Sequence, residues 1–366
     1  MINKKRQHYV PRFYLRNFSM TNVKQINLYH IGMQKIYKNV SLREQCYKNN
    51  FYGLDNENIL AELEKSFSLV IKYILLNQNL PNTSTNAHKN LLAFVAVQIT
   101  RTKKFAEDIN STIEKFNQLV LLRNKEQFPN LDVKKIRVGL KEPVLQTLPY
   151  SYKFFICIED LNCHLLLANK NQDFITSDSP VFIYNKYIED LKEAKNGLLS
   201  IGALIFIPLS PKVCLVLYDS SVYKIGKKNK NITCDLTTGD VFQINSLQFI
   251  SADQVLYFND SFQSDYFNII HQKYMRKRES SKPKVLEYQE GEDINKSLVV
   301  NYFQMPDLNM NLSFLSLRRK AKCIKQSERN LKYRKPMPPI PGEVPNEYYN
   351  LPNEILGKQL KKINEL

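Results

Sequence analysis

Gln7-His8-Tyr9-Val10-Pro11-Arg12-Phe13-Tyr14-Leu15-Arg16-Asn17-Phe18 puts one histidine, one proline, two arginines and four aromatic rings into twelve positions. Chain ends are poorly ordered unless something ties them down. So many rings imply a terminus tucked into the fold, with His8 among groups that perturb it.

Working outward, residues 24 to 40 alternate apolar and polar around Gly32, which predicts a hairpin. Residues 57 to 78 carry Ile59, Leu60, Leu63, Phe67, Val70, Ile71, Ile74 and Leu75 at spacings of three and four, a helical period. After the break at Leu80-Pro81-Asn82, a second helix is expected from Ser84 or Asn86 to about 108. A third is expected from Ile109 to Asn124.

The two longest apolar stripes are interrupted by polar side chains. Glu64 breaks the stripe of the first helix, and Gln98 and Arg101 break that of the second. A charge on a buried face costs several kcal/mol unless it is paired and hydrogen-bonded. The economical arrangement has Glu64 meeting Arg101 across the helix pair, with Gln98 completing the network. Two readings stay open: a buried ion pair that fixes helix register, or a pocket wall whose guanidinium fork holds an anionic ligand.

From 150 to 260 short β-like runs follow: 154 to 158, 165 to 168, 174 to 176, 181 to 184, 204 to 208 and 213 to 218. Turn formers separate them, as in an antiparallel sheet. Residues 236 to 258 add a helix and a final strand. Within this region Thr176-Ser177-Asp178-Ser179-Pro180-Val181 is a strand running into a polar corner, which delivers Ser177 and Asp178 at a strand end. Pro208-Leu209-Ser210-Pro211 reads as a strand terminated twice by proline.

Beyond about 270 the chain turns basic. Residues 271 to 284 hold six Lys or Arg against one acid, and residues 318 to 335 hold nine against one. A proline-rich run from 335 to 341 and a short helix from Asn353 close the chain. The fold class expected is α+β. A strand pair and helical block occupy 1–150, a mainly antiparallel β-rich region 151–270, and a basic, partly extended C-terminal appendage 271–366.

Composition bounds the chemistry. The formal net charge of +17 attracts nucleic acid, anionic lipid or acidic proteins without choosing among them. Only 10 glycines are present, with no G-x-G-x-x-G and no G-x-x-x-x-G-K, which argues against the common nucleotide-binding loops. The six cysteines show no C-x-x-C spacing, so a zinc site is not indicated and a reducing cytoplasm is expected. No stretch reaches the length of a membrane span, and no basic amphipathic helix suggests membrane contact.

Taken together these clusters resemble the domain-of-unknown-function family 4238. The resemblance rests on His8 to Pro11 with Leu15 to Phe18, on a helix bearing Glu64, on Gln98 to Thr102, on Thr176 to Val181, and on Pro208 to Pro211, in that order over roughly residues 5 to 270. One departure is Lys103, where the family often has proline after Arg-Thr. The resemblance implies an intracellular α+β protein and picks out His8, Gln98, Arg101 and Asp178 together; it supplies no reaction.

The leading expectation is a nuclease or another phosphate-ester hydrolase, with a role in phage defence suggested by charge and family type. In it His8 is the general acid or base, while Asp178 and Glu64 orient groups or bind a divalent metal. Arg101, Gln98, Arg12 and Ser177 would hold the substrate. The rival expectation is a noncatalytic nucleic-acid- or protein-binding module in which these polar residues are structural.

Overall fold

A computed structural model describes residues 6–19, 24–127, 132, 135–191, 196–227, 230–234, 236–259, 262, 264–289, 296–301, 308–329 and 333–336. The expected helix from Asn353 and most of the proline-rich run lie outside these residues.

The architecture is α+β. The N-terminal segment opens with strand β1 (Arg6–His8), turns through a single helical turn α1 (Arg12–Leu15), and reaches the hairpin β2 (Gln25–His30) and β3 (Lys35–Ser41). A short strand β4 (Tyr47–Asn49) then returns to pair antiparallel with β1, His8 opposite Tyr47. The tucked terminus is thus held as a strand.

Helix α2 (Gly53–Asn77) buries Leu60, Leu63, Phe67, Val70, Ile71 and Ile74 along the expected stripe. Gln78 ends it in a left-handed conformation at φ 48°. Helix α3 (Asn86–Thr100) begins at Thr85, whose hydroxyl accepts the His88 N–H. It does not run on to 108. The chain breaks at Arg101-Thr102, where extended Thr102 caps a new helix, α4 (Lys103–Arg123), by accepting from the Phe105 N–H. Every residue of α3 from Leu91 to Thr100 is buried, as expected of a helix that is apolar nearly all round. It packs on α2 and on a later helix, so Gln98 sits inside a core rather than on one amphipathic face.

That later helix corrects a second expectation. After a short turn α5 (Pro143–Thr147), residues 154 to 158 form no strand but belong to α6 (Tyr150–Ile158). A five-residue apolar run supports either period. Here Ser151 and Ile158 fall on one buried helical face, two turns apart.

The remaining strands are β5 (Asn162–Leu167), β6 (Thr176–Ser177), β7 (Phe182–Tyr184), β8 (Leu204–Ser210), β9 (Val213–Tyr218), β10 (Tyr223–Ile225) and β11 (Ile232–Thr233). Helix α7 (Thr238–Ser251), strand β12 (Val255–Phe258) and helix α8 (Ser264–Ser280) follow. Then come the hairpin β13 (Lys284–Gln289) and β14 (Lys296–Asn301), and β15 (Leu315–Leu317).

One sheet has the order β11-β5-β9-β8-β7 and is antiparallel except for β11. A second, four-stranded sheet has the order β3-β2-β12-β6, and the pairs β1-β4, β10-β15 and β13-β14 stand apart from both. This second sheet joins the N-terminal hairpin to strands some 150 and 230 residues later. It sets Thr176 and Ser177, the two residues of β6, beside β12.

Two cores result. One runs from Val10, Tyr14 and Phe18 of the N-terminal strap, residues 7 to 18, through α2, α3 and α6 to one face of the five-stranded sheet. The other lies on that sheet's opposite face, under α7 and α8. Both draw residues from either side of residue 150. Leu308, Met310, Leu312 and Phe314 are buried in the second core, and β15 pairs antiparallel with β10. This part of the expected appendage is therefore packed against the fold by its apolar residues.

Candidate functional site

The strap is bonded at both ends to the other motif clusters. On its first half, the His8 carbonyl accepts from Arg101 Nη2 at 2.7 Å, and the Tyr9 carbonyl accepts from Gln98 Nε2 at 3.0 Å. On its second half, Tyr14 Oη lies 2.7 Å from Thr176 Oγ1 and donates to the Pro208 carbonyl. Asn17 Nδ2 donates to the Leu209 carbonyl at 3.0 Å.

Arg101 is among the largest fully buried side chains, at 1% exposure. Its Nη1 meets Glu64 Oε1 at 2.9 Å, as the interrupted stripes implied. Tyr52 completes the enclosure. Its ring centroid lies 5.6 Å from the guanidinium carbon, and its hydroxyl donates to the Arg101 carbonyl at 2.7 Å. Two of the three guanidinium nitrogens are therefore engaged. Arg101 Nε and Gln98 Oε1 are buried with no partner among the described residues. Gln98 reaches the strap, not the Glu64–Arg101 pair.

His8 is half-buried, and its Nε2 lies 3.2 Å from the Arg43 carbonyl oxygen. Burial pulls its pKa down to about 4, with Arg12, Arg101 and Arg6 adding to the fall and the bond to Arg43 opposing it. The imidazole is neutral at pH 7. Arg12 is exposed at the start of α1, and no hydrogen bond ties it to the other candidates among the described residues.

Asp178 performs a different task. Its two carboxylate oxygens accept from the amides of Asp253, Gln254 and Val255 at 2.8, 2.8 and 3.1 Å. It thereby holds the turn that leads from α7 into β12. Burial, with the Asp253 carboxylate nearby, pushes its pKa up to about 6 against the pull of the three amides. Ser177 Oγ accepts from Gln248 Nε2 at 2.6 Å and from the Ser179 N–H at 3.0 Å. The turn is tied further by a Lys103–Asp253 ion pair at 3.5 Å and by Arg278 donating to the Ala252 carbonyl at 2.8 Å.

The structure thus gathers the candidates into two neighbouring groups. His8, Gln98, Arg101 and Glu64 surround the strap's first half, while Ser177 and Asp178 secure the α7–β12 turn. Sequence reasoning missed Tyr52, Gln248 and Asp253. Each reaches its partner across tens of residues or more, and none interrupts a periodic pattern. Among the described residues, no group of three or more His, Cys, Asp or Glu is placed to hold a metal ion. No described helix is long and apolar enough to cross a membrane.

A family model described as a protein of unknown function, DUF4238, matches residues 6–262. The chain belongs to this family. The match begins at the strap and ends just beyond β12, so it takes in every motif cluster described above. No curated protein and no solved structure matches the chain. In this DUF4238 member the separate motifs are one hydrogen-bonded assembly, in which strap, helix break, corner and β8 each hold another in place.

Proposed function

We propose that the chain is a noncatalytic binding module that holds nucleic acid against a basic face, with His8, Glu64, Gln98, Arg101, Ser177 and Asp178 serving as struts. The observation that carries this reading is the engagement of both terminal nitrogens of Arg101: at 1% exposure, they bond Glu64 and the strap carbonyl. A phosphate would have to displace both. Hydrolysis, and a defence role through it, would need that guanidinium or the Asp178 carboxylate free, and Asp178 is occupied by three amides.

The basic face supplies the affinity. Lys224 and Lys227 are exposed in and after β10, and Arg319, Lys320, Lys322 and Lys325 are exposed just beyond its partner β15. Six phosphate contacts make affinity fall by about 10³-fold between 50 and 200 mM salt. Fluorescence anisotropy with a labelled 20-nucleotide single strand and its duplex reads this directly. Replacing Lys224, Lys320 and Lys322 with Glu should weaken binding at least tenfold and roughly halve the salt slope. Salt-independent binding, or none to either probe, contradicts the proposal.

A further inference from the structure

A second feature is independent of the strap and the basic face. A cavity of about 500 Å³ opens between the loop before α3, the first turns of α3, and the end of α6. That volume is within the range of small-molecule sites, roughly 300 to 1,000 Å³. Leu80, Leu92, Phe155 and Tyr152 give it apolar and aromatic walls, and His88 lies among them.

His88 is 8% exposed, and its Nδ1 is buried with no hydrogen-bond partner among the described residues. Burial lowers its pKa, so the ring carries no charge at pH 7. The charged groups on the rim are already matched. Asp160 pairs with Arg334 at 3.0 Å and with Lys335 at 3.2 Å, and Glu159 pairs with Lys335 at 3.4 Å. Lys89 is engaged as well. A charged guest would find no counter-ion, and desolvating it would cost more than the cavity returns.

We propose that this cavity binds an uncharged, planar aromatic molecule with a hydrogen-bonding edge, which the His88 imidazole recognises and the Tyr152, Phe155 and Leu92 side chains enclose. The body of such a ligand is held by apolar contact, and its polar edge meets a ring that has unused hydrogen-bonding capacity.

Indole tests this on the full-length protein. Its titration is followed through the His88 Cε1–H resonance, beside benzofuran, which lacks the N–H, and indole-3-carboxylate, which adds a charge. Indole should give a saturable shift. Benzofuran should bind about three- to tenfold more weakly, as one neutral hydrogen bond is lost, and the carboxylate more weakly still. Leu92→Phe, which fills the cavity, should abolish the shift. Tyr152→Ala, at a side chain already 41% exposed, should weaken binding with the fold intact. Three results overturn the proposal: no saturation with indole, an unchanged affinity in both variants, or tighter binding of the carboxylate.

Discussion

At the scale of the residue, one ion pair decides how the strap is held. Arg101 is enclosed, whereas the Glu64 side chain retains 28% exposure, so water discounts the pair from its buried limit. Glu64→Gln leaves the guanidinium positive without its counter-charge. It should lower stability by about 2 kcal/mol in urea unfolding. His8 adds a pH dependence. Its folded pKa of about 4 lies below the unfolded 6.5, so the unfolded chain binds more protons between these values. His8's contribution is full above pH 6.5 and is lost as pH falls toward 4. Asp178 acts oppositely, since its raised pKa of about 6 removes stability as pH rises from about 4 to 6. His8→Gln should therefore flatten the rise in melting temperature between pH 4 and 6.5, and Asp178→Asn should steepen it. The Glu64–Arg101 contact was legible because two charges interrupted apolar stripes that had to face each other. The three amides on Asp178 were not, because backbone donors carry no residue identity.

At the scale of the element, α3 is the hub of the first core. Phe94 packs its ring 6.0 Å from Phe13, 6.0 Å from Tyr14 and 5.6 Å from Phe67, joining strap, α3 and α2. Phe94→Ala should destabilise by about 3–5 kcal/mol, because the three surrounding rings cannot collapse into the space together. A chemical-denaturation midpoint checks this. Both misread elements trace to local ambiguity. Apolar and aromatic residues of α6 suit strand or helix, and only the packing of α6 on α3 decides between them. The stop at Arg101-Thr102 depends on a cap that the apolar pattern runs straight through. The hairpin, α2 and the α7–β12 pair were legible because turn residues bounded clean periods.

At the scale of the whole molecule, the N-terminal strap and β15 act as clasps on two parts of the fold, the strap on the five-stranded sheet and β15 on β10, which lies outside that sheet. The strap's Tyr14 and Asn17 secure β8, and β15 secures β10. Sheet order was not legible, because the hairpin's partner β12 lies more than 200 residues away and no local signal links them. The burial of Leu308, Met310, Leu312 and Phe314 was masked by the basic residues that follow. The reading of the molecule as a binder rests on its polar cluster being internal bracing. The most direct measurement is incubation of the wild-type protein with labelled RNA and with single- and double-stranded DNA, in magnesium and in manganese, resolved for both bound and cut species. The account predicts retention without cleavage on every substrate. Cleavage that disappears in His8→Ala while the melting temperature stays unchanged would contradict it.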